Sequence, residues 1–328
     1  MSLYSERFWC CSDMKKLILQ ILIFLVIAAT GRGQNAGTAG AFARMGFGAR
    51  GIGMGNTLTA VSTGNISTYY NPALAAFSEQ RTAAATFSVL ALDRYLNFIS
   101  YTQALKPSAG LSAGLINAGV RNIDGRDSDG EHTEDYSTSE NQFYLAFANQ
   151  VEDRVSLGVT IKLYHTKLFD EFKSTTVGFD VGAYVQLTGE LSIGVILQDI
   201  NSKYKWDSKS LYDQNGKTTE DKFPTLRRIG LAYKIPEGLG IVSAEFENSS
   251  ETTNIVRMGA EYNLAENFAV RGGVDRWDFT DNATGAKPSF GFTVRNSFNS
   301  WTPAVNYAFV FESFSPHGMH VITLSAAF

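Results

Sequence analysis

The chain is poor in cysteine and proline, and the scarcity of cysteine excludes several kinds of chemistry. It holds only 2 Cys and 7 Pro among 328 residues. Both cysteines, Cys10 and Cys11, precede the only long apolar run. The rest of the chain therefore has no thiol for a disulfide, a Cys-ligated zinc or a Cys nucleophile. Because no cysteine follows the apolar run, a lipid-modified N-terminal cysteine is excluded as well.

The chain also lacks a strong excess of charge and a high mean hydropathy. Its net charge is −4, so it lacks the basic surface that nucleic acid would require. The mean hydropathy of −0.08 is too low for a helical membrane protein. A β-barrel has such a value because only alternate residues of each strand face lipid. The 30 Gly and 12% aromatic residues suit many strands joined by tight turns.

The one long apolar run lies near the N-terminus. Lys15–Lys16 precedes the apolar residues 17–29, and small residues follow, which is the pattern of a cleaved signal peptide. The alternative is a membrane anchor, but the run is roughly 13 residues long and a transmembrane helix needs ~20. We expect residues 1–33 to be the signal peptide and Gln34 to begin the mature chain. The pattern starts at Met14, which is a candidate for the true start.

From about residue 80 onward the sequence alternates with period two. Between Val155 and Leu163 every second residue is Val, Leu or Ile, and Ser, Gly, Thr and Lys lie between them. Such two-faced segments, long enough to cross a bilayer when tilted, predict an all-β protein. We predict that residues 80–328 form a transmembrane antiparallel β-barrel of about 14 strands. The expected strands are 80–91, 93–106, 108–122, 137–151, 153–168, 172–188, 190–203, 223–236, 238–249, 252–264, 267–279, 287–297, 301–314 and 317–328.

The connections alternate in length, which favours a barrel over a soluble sandwich. Glu152–Asp153 and Pro236–Gly238 are short turns, whereas 125–137 and 202–222 are long and polar. Outer-membrane barrels have short periplasmic turns and longer external loops. We therefore predict the bacterial outer membrane as the location, with outer-membrane lipids around the wall. Several of the aromatic residues near strand ends or on outward faces, such as Trp206, Trp277 and Trp301, are expected in the headgroup girdle, and carbohydrate stacking is the alternative.

The last predicted strand ends on an aromatic residue. One face of this strand carries Ile322, Leu324, Ala326 and Phe328. A terminal Phe on an amphipathic strand resembles the signal that the bacterial barrel-assembly machinery reads, so we expect that machinery as a partner. Pairing of this strand with the first would also remove the unpaired edges that hydrocarbon does not tolerate.

Residues 34–79 follow a different pattern. Frequent glycines break any long strand or helix, so short helices and turns are expected. We predict that this segment is a hatch inside the barrel mouth; the alternative is a flexible periplasmic tail. Pro72 fixes its own φ and keeps Asn71 out of the helical region, so Asn71, Pro72 and Ala73 predict a rigid turn. The Asn71 amide is expected to bond backbone groups of the hatch or wall; the alternative is an ordinary loop.

Several segments together resemble a known family. Ala36–Phe42, Gly48–Asn56 and Tyr70–Ala75 resemble the opening of the PorV/PorQ family, and Phe223–Tyr233 extends the likeness into the barrel. That family belongs to a wider group similar to the long-chain fatty-acid transporter FadL, with which the triplet at 71–73 is shared. The resemblance implies a fourteen-stranded barrel with an N-terminal hatch.

The resemblance implies two functions. PorV-like members serve the type IX secretion system by binding secreted proteins and handing them on at the cell surface. FadL-like members pass hydrophobic small molecules through the barrel and out sideways. We expect the first role, in protein secretion or surface attachment, with secreted proteins or secretion components as partners. Passive uptake of hydrophobic small molecules is the alternative. A channel needs an apolar pocket, whereas a shuttle needs a protein-binding external rim.

Charged residues on the inward faces of late strands form the most informative polar group. Adjacent antiparallel strands bring such side chains within pairing distance. We favour a ladder of ion pairs that anchors the hatch or fills the lumen, and a polar permeation route and substrate recognition are the alternatives. The predicted network comprises Glu245, Glu247, Arg257, Glu261, Arg271 and Asp275.

No motif indicates catalysis or a cofactor. Asp127 and Asp129 resemble part of a calcium loop, but an EF-hand would need acids where Gly125 and Tyr136 stand. A solvated acidic loop is therefore favoured over a contact with Ca²⁺ or Mg²⁺. The 4 His are scattered without a recognisable Ser partner. The glycines of 46–55 follow no strand and so do not form a dinucleotide fingerprint. We predict a protein that is not an enzyme.

Overall fold

The computed structural model describes residues 37–64, 67–169, 172–209, 215–251, 253–278, 285–312 and 315–328. The predicted signal peptide at 1–33 and its cleavage site lie outside the described residues, and so does the predicted mature start at Gln34. Both stay predictions.

Fourteen antiparallel strands form one closed barrel, which confirms the predicted fold. Each predicted strand matches a wall strand, with ends that differ by a few residues. The wall consists of β1 (Thr82–Val89), β2 (Arg94–Leu105), β3 (Ala109–Val120), β6 (Ser139–Glu152), β7 (Val155–Phe169), β8 (Phe172–Gln186), β9 (Leu191–Ile200), β12 (Leu226–Ile235), β13 (Gly240–Ser249), β14 (Asn254–Ala265), β15 (Phe268–Asp278), β16 (Lys287–Arg295), β17 (Thr302–Val310) and β18 (Met319–Ala327).

The barrel closes between its first and last strands. Pairs run from Thr82 with Ala327 to Val89 with His320. Beyond the strands, the backbone N–H of Phe328 donates to the carbonyl of Arg81 at 2.9 Å. Because β1 pairs with β18 as well as β2, the sheet has no free edge to expose to hydrocarbon.

The two faces of the wall differ as the alternation predicts. On β7, Leu157, Val159 and Ile161 are exposed, whereas Thr160 and Lys162 are buried. The outward residues of the other strands are likewise mostly apolar. A band of exposed aliphatic and aromatic side chains around a closed barrel is the surface that a bilayer covers.

Two of the long connections are not plain loops. The predicted loop at 125–137 overlaps the hairpin of β4 (Ile123–Arg126) and β5 (His132–Tyr136). The one at 202–222 contains the hairpin of β10 (Lys203–Asp207) and β11 (Thr218–Lys222). Both were missed because every residue of β5 and β11 is exposed, so no hydrophobic alternation marks either strand.

Of the aromatic residues considered for the headgroup girdle, Trp277 and Trp301 are exposed, whereas Trp206 on β10 is buried and is not part of a girdle. Its ring stacks on Phe172 with 5.0 Å between centroids. Its indole N–H donates to a carboxylate oxygen of Asp221 at 2.6 Å. The β10–β11 hairpin thus packs an aromatic face onto the long-loop end of the barrel.

The N-terminal segment folds into short helices inside the barrel. It contains the 3-10 helices η1 (Ala41–Arg44) and η2 (Pro72–Phe77) and the α-helices α1 (Gly48–Gly53) and α2 (Ser67–Tyr70). Outside this segment, a further 3-10 turn, η3 (Pro236–Gly238), joins β12 to β13. Nearly all of 42–61 is buried. Among the described residues no helix has the length and apolar character needed to span a bilayer.

Glycines on the inner wall let the backbone of this segment approach closely. A Cβ on Gly110 of β3 would lie 1.8 Å from the carbonyl oxygen of Ala75, and one on Gly194 of β9 would lie 2.0 Å from that of Thr59. Contacts of this kind recur on β7, β8, β14 and β15. The segment is therefore fitted to the wall on several sides of the lumen, and it is called the hatch below.

Candidate functional site

The hatch divides the lumen into two cavities. The loop-end cavity, of about 400 Å³, lies at the end that carries the long connections. The turn-end cavity, of about 910 Å³, lies at the end that carries the short turns and both ends of the wall. The two cavities share no lining residue within the described chain. The described hatch therefore separates them.

The floor of the loop-end cavity is apolar. The hatch contributes Ala41, Phe42 and Met45, and the wall contributes Leu90 and Ala118. Phe42 also packs edge-on against the ring of Tyr164, with 6.5 Å between centroids. This part of the cavity can cover an apolar molecule but offers it few polar partners.

The rim of the same cavity is charged. Glu312 pairs with Lys287 at 3.1 Å and with Arg94 at 3.6 Å. Glu140 accepts a hydrogen bond of 3.0 Å from the hydroxyl of Tyr204. A narrow extension of about 20 Å³ continues inward from this rim, between α1 and the strands β15 to β18.

Two β-bulges turn extra charged side chains into the lumen. On β9, Gln198 and Asp199 together lie opposite the single residue Asp180. On β15, Asp275 and Arg276 lie opposite Arg257. Asp199 has a φ of 60° and Arg276 a φ of 58°, a left-handed conformation that is uncommon for residues other than glycine.

The bulge on β9 completes a buried cluster of charges. The ammonium group of Lys162 lies 2.8 Å from Asp180 and 2.9 Å from Asp199, and the hydroxyl of Tyr164 donates to Asp199 at 2.6 Å. The three charged side chains are at most 1% exposed. The alternation of the sequence places Lys162 on the polar face, but neither Lys162 nor Asp180 belongs to the predicted charge network. Asp199 was missed because simple alternation points it outward.

Four of the six residues of the predicted charge network lie in one group. Arg257 donates to Asp275 at 2.5 Å and lies 3.1 Å from Glu247 and 3.3 Å from Glu245. Arg228 on β12, which was not predicted, donates to Glu247 at 2.5 Å. The group spans four neighbouring strands, β12 to β15.

The other two predicted residues form a separate group with the hatch. Glu261 accepts three hydrogen bonds from Arg50 on α1, of 2.8, 3.0 and 3.2 Å. Arg271 lies 3.2 Å from the same carboxylate. Arg50 also donates to the carbonyl and hydroxyl of Thr63 in the hatch. This ion pair faces the turn-end cavity, which both Arg50 and Glu261 line.

The Asn71, Pro72 and Ala73 triplet begins η2 and joins the hatch to the wall. The side-chain oxygen of Asn71 accepts from the backbone N–H of Ala73 at 3.1 Å. Its amide nitrogen donates to the carbonyl of Thr59 in the hatch and to that of Ala183 on β8, both at 3.0 Å. Asn71 is fully buried.

The residues of the predicted assembly signal lie on the outward face of β18. Ile322, Leu324 and Phe328 are exposed, and Ala326 is half-buried. Recognition of this face by the assembly machinery remains a prediction.

The predicted cation residues serve a turn between β4 and β5. A carboxylate oxygen of Asp127 accepts the backbone N–H groups of Asp129 and Glu131, at 2.9 and 3.0 Å. No described contact joins Asp127 to the side chain of Asp129. The carboxylate of Asp127 therefore caps the turn.

Ligand atoms converge elsewhere on this hairpin. Asp124, His132 and Asp135 have ligand atoms within 4.8 Å of one another, the only such group of three or more in the described chain. All three are exposed, and Asp124 already binds Arg126 at 2.5 Å and His132 at 2.7 Å. The hydrogen bond that His132 donates to Asp124 raises the pKa of His132. The hydrogen bonds from His132 and Arg126 lower the pKa of Asp124.

Three solved structures share this architecture. The toluene transporter TodX of Pseudomonas putida has 14% identity and a TM-score of 0.62, over 86% of this chain and 98% of that one. The monoaromatic hydrocarbon channel CymD has 14% identity and a TM-score of 0.61, over 86% and 97%. A FadL homologue of Pseudomonas aeruginosa has 13% identity and a TM-score of 0.58, over 86% and 98%.

At these identities the likeness concerns the fold. The chain has the 14-strand outer-membrane barrel fold of the TodX and FadL type, which is the fold that the sequence predicted. No protein-family model matches the chain, and no curated protein sequence matches it. The resemblance to PorV/PorQ stays a prediction.

Proposed function

We propose that this protein is a plugged outer-membrane channel that takes up hydrophobic small molecules. The observation that carries the proposal is the loop-end cavity, whose apolar floor is built jointly by η1 and the wall. Its volume of about 400 Å³ suits a small molecule, since ligand pockets measure about 300–1,000 Å³. This is the alternative of the two functions expected from the sequence.

The similar structures suggest the first substrate class to test. TodX is a toluene transporter and CymD is a monoaromatic hydrocarbon channel. Phe42 and Leu90 offer apolar contact to an aromatic ring, and Met45 offers a polarizable sulfur. Toluene is therefore the probe.

The test is uptake of labelled toluene by cells that carry the protein. Ala118→Trp fills the loop-end cavity with an indole ring and should lower uptake at least tenfold. Ala244→Trp makes the same change on the exposed outer face of β13 and should leave uptake unchanged. Heat-modifiable migration on a gel verifies that both barrels are folded. Equal uptake of toluene by cells with and without the protein would contradict the proposal.

A role in protein secretion or attachment is the second candidate. It is supported by the β4–β5 hairpin, on which every residue from His132 to Tyr136 is exposed. Ile123 and Tyr136 add exposed apolar surface that a protein partner would cover. If this role is correct, secreted proteins or secretion components should co-purify with the wild type. They should be lost when residues 123–136 are replaced by a short turn, while toluene uptake persists.

A further inference from the structure

Helix α1 is the partition between the two cavities on one side of the barrel. Along β17, Val310 lines the extension of the loop-end cavity and Asn306 lines the turn-end cavity. Ala308, between them, is fully buried. On β18, likewise, Met319 lines the extension of the loop-end cavity and Ser325 lines the turn-end cavity. The layer that covers the positions between them is α1, only six residues long.

Contacts with the wall hold α1 in place. The backbone N–H of Ala49 donates to the hydroxyl of Thr323 at 2.8 Å. The hydroxyl of Ser289 donates to the carbonyl of Gly53 at 3.3 Å. The sequence of α1 is Gly-Ala-Arg-Gly-Ile-Gly, and glycine is a poor helix former. Because its own propensity is low, the position of α1 depends on these bonds and on the ion pair of Arg50.

The two faces of α1 have different surroundings. Ile52 lines the extension of the loop-end cavity, whereas Arg50 lines the turn-end cavity. Displacement of α1 would therefore join the two cavities along β15 to β18. The joined path would run past Arg271 and Thr293, so it would be polar where the loop-end floor is apolar.

The part of that path around Glu261 has a local excess of positive charge. The guanidinium groups of Arg50 and Arg271 share the carboxylate of Glu261. Arg295 lines the turn-end cavity beside them. Three cationic groups thus surround one anionic group, and rings of Arg or Lys favour anions in pores.

We propose that α1 gates a second, aqueous route through the barrel, which carries small anions and is closed by the Arg50–Glu261 ion pair. This route is distinct from uptake of hydrophobic molecules. The apolar floor of the loop-end cavity belongs to η1 and its neighbours, whereas the gate is α1. The two activities are therefore separable by mutation.

The test is the conductance of the purified full-length protein in a planar lipid bilayer in KCl. Glu261→Gln keeps the size of the side chain but removes the charge that binds Arg50, so channel openings should become at least tenfold more frequent. Under a KCl gradient the reversal potential should have the sign of a chloride current. Arg50→Gln breaks the same pair from the hatch side and should also increase openings. Glu152→Gln changes an exposed residue at the turn that follows β6 and should behave as the wild type.

A disulfide crosslink between α1 and β17 is the decisive part of the test. A Cβ on Gly53 would lie 3.3 Å from the Cβ of Ala308, close to the separation in a disulfide. No cysteine follows Cys11. Gly53→Cys with Ala308→Cys, added to Glu261→Gln, should abolish openings when oxidised and restore them with reductant.

Three results would each overturn the proposal. The first is wild-type conductance in both heat-modifiable variants, Glu261→Gln and Arg50→Gln. The second is a current that prefers potassium. The third is openings that persist when mass spectrometry shows a complete crosslink between α1 and β17. Loss of toluene uptake alone bears on the hydrophobic channel and leaves this conductance test intact.

Discussion

The side-chain amide of Asn71 in the hatch donates a hydrogen bond of 3.0 Å to the carbonyl of Ala183 on strand β8. The same nitrogen donates to Thr59, which lies elsewhere in the hatch. One buried side chain therefore ties two hatch segments to the wall. Its partners are backbone carbonyls, so the join depends on the path of the chain at those positions.

Close packing of the hatch predicts that Gly110→Ala is costly. The new methyl carbon would lie 1.8 Å from the carbonyl oxygen of Ala75, so either η2 or β3 has to move. Overpacking of this kind costs about 1–3 kcal/mol. We expect faster proteolysis of the hatch in the folded, membrane-inserted variant. Gly189→Ala is the matched control, because a Cβ there meets nothing within 4 Å. Equal protection of both variants would show that the hatch adapts to the wall.

The buried cluster at the β9 bulge predicts a large loss of stability for Lys162→Met. The substitution leaves Asp180 and Asp199 without the ammonium group that both contact at under 3 Å. Removing one partner of a buried ion pair costs about 3–5 kcal/mol. Urea unfolding of the protein in lipid vesicles, followed by tryptophan fluorescence, measures the loss in the free energy of unfolding.

Two further variants make that prediction specific. Lys173→Met removes a lysine from the exposed side of β8 and should change the free energy of unfolding by about 0.5 kcal/mol or less. Lys162→Met combined with Asp180→Asn and Asp199→Asn removes every charge and should recover part of the loss. A single variant as stable as the wild type would contradict the assigned role of the cluster.

Most of the barrel wall could be predicted from the sequence because lipid outside and the hatch inside impose opposite demands on alternate residues. The segment predicted at 172–188 is strand Phe172–Gln186, and the ends of the others differ from the prediction by at most four residues. A bulge breaks this rule. At Asp199 one extra residue turns a second consecutive side chain inward, and no residue type marks that event in the sequence.

The contacts of the hatch were less predictable than the strands. Glu261 was selected as a lumen charge, but its partner Arg50 lies 211 positions away. The hatch has no periodic pattern that predicts the direction in which the side chain of Arg50 points. The burial of Trp206 could not be predicted for a related reason: its aromatic partner Phe172 belongs to another hairpin, and only the packing of the two hairpins shows that the ring is covered.

The pair of His132 and Asp124 predicts a pH dependence at the tip of an external hairpin. Because the hydrogen bond that His132 donates to Asp124 raises the pKa of His132, the stabilisation from protonated His132 is complete below its ordinary pKa of about 6.5. It is lost as the pH rises through the raised value. For Asp124, whose pKa is lowered, the stabilisation is present above about pH 4 and is lost in stronger acid.

An NMR titration of the imidazole protons measures this effect. The midpoint for His132 should lie above about 6.5 in the wild type and return toward that value in Asp124→Asn. His317→Gln, which changes an exposed residue in another loop, should leave the midpoint of His132 unchanged. A wild-type midpoint that does not move in Asp124→Asn would exclude the pair as the cause.

The last prediction concerns Asn71→Ala, which removes the three hydrogen bonds of the buried amide at the start of η2. The carbonyls of Thr59 and Ala183 lose a donor, and the N–H of Ala73 loses its cap. Loss of a helix N-cap costs about 0.5–2 kcal/mol, and a buried group left without a partner costs about 1–3 kcal/mol. We expect the hatch to loosen, because these bonds join it to the wall. The barrel should still insert and close, because the pairing of β1 with β18 does not involve Asn71.

Protease sensitivity of the hatch in folded, membrane-inserted protein measures the change, with heat-modifiable migration as the check on the barrel. Asn117→Ala is the matched control. The amide of Asn117 donates to Asn141 on the wall. The control variant therefore removes an Asn side chain that has no described bond to the hatch. Asn71→Ala should be cleaved within residues 37–64 at least tenfold faster than either the wild type or Asn117→Ala. If the hatch of Asn71→Ala stays as protected as the wild type, the glycine contacts hold the hatch without the amide, and the triplet is only a connector.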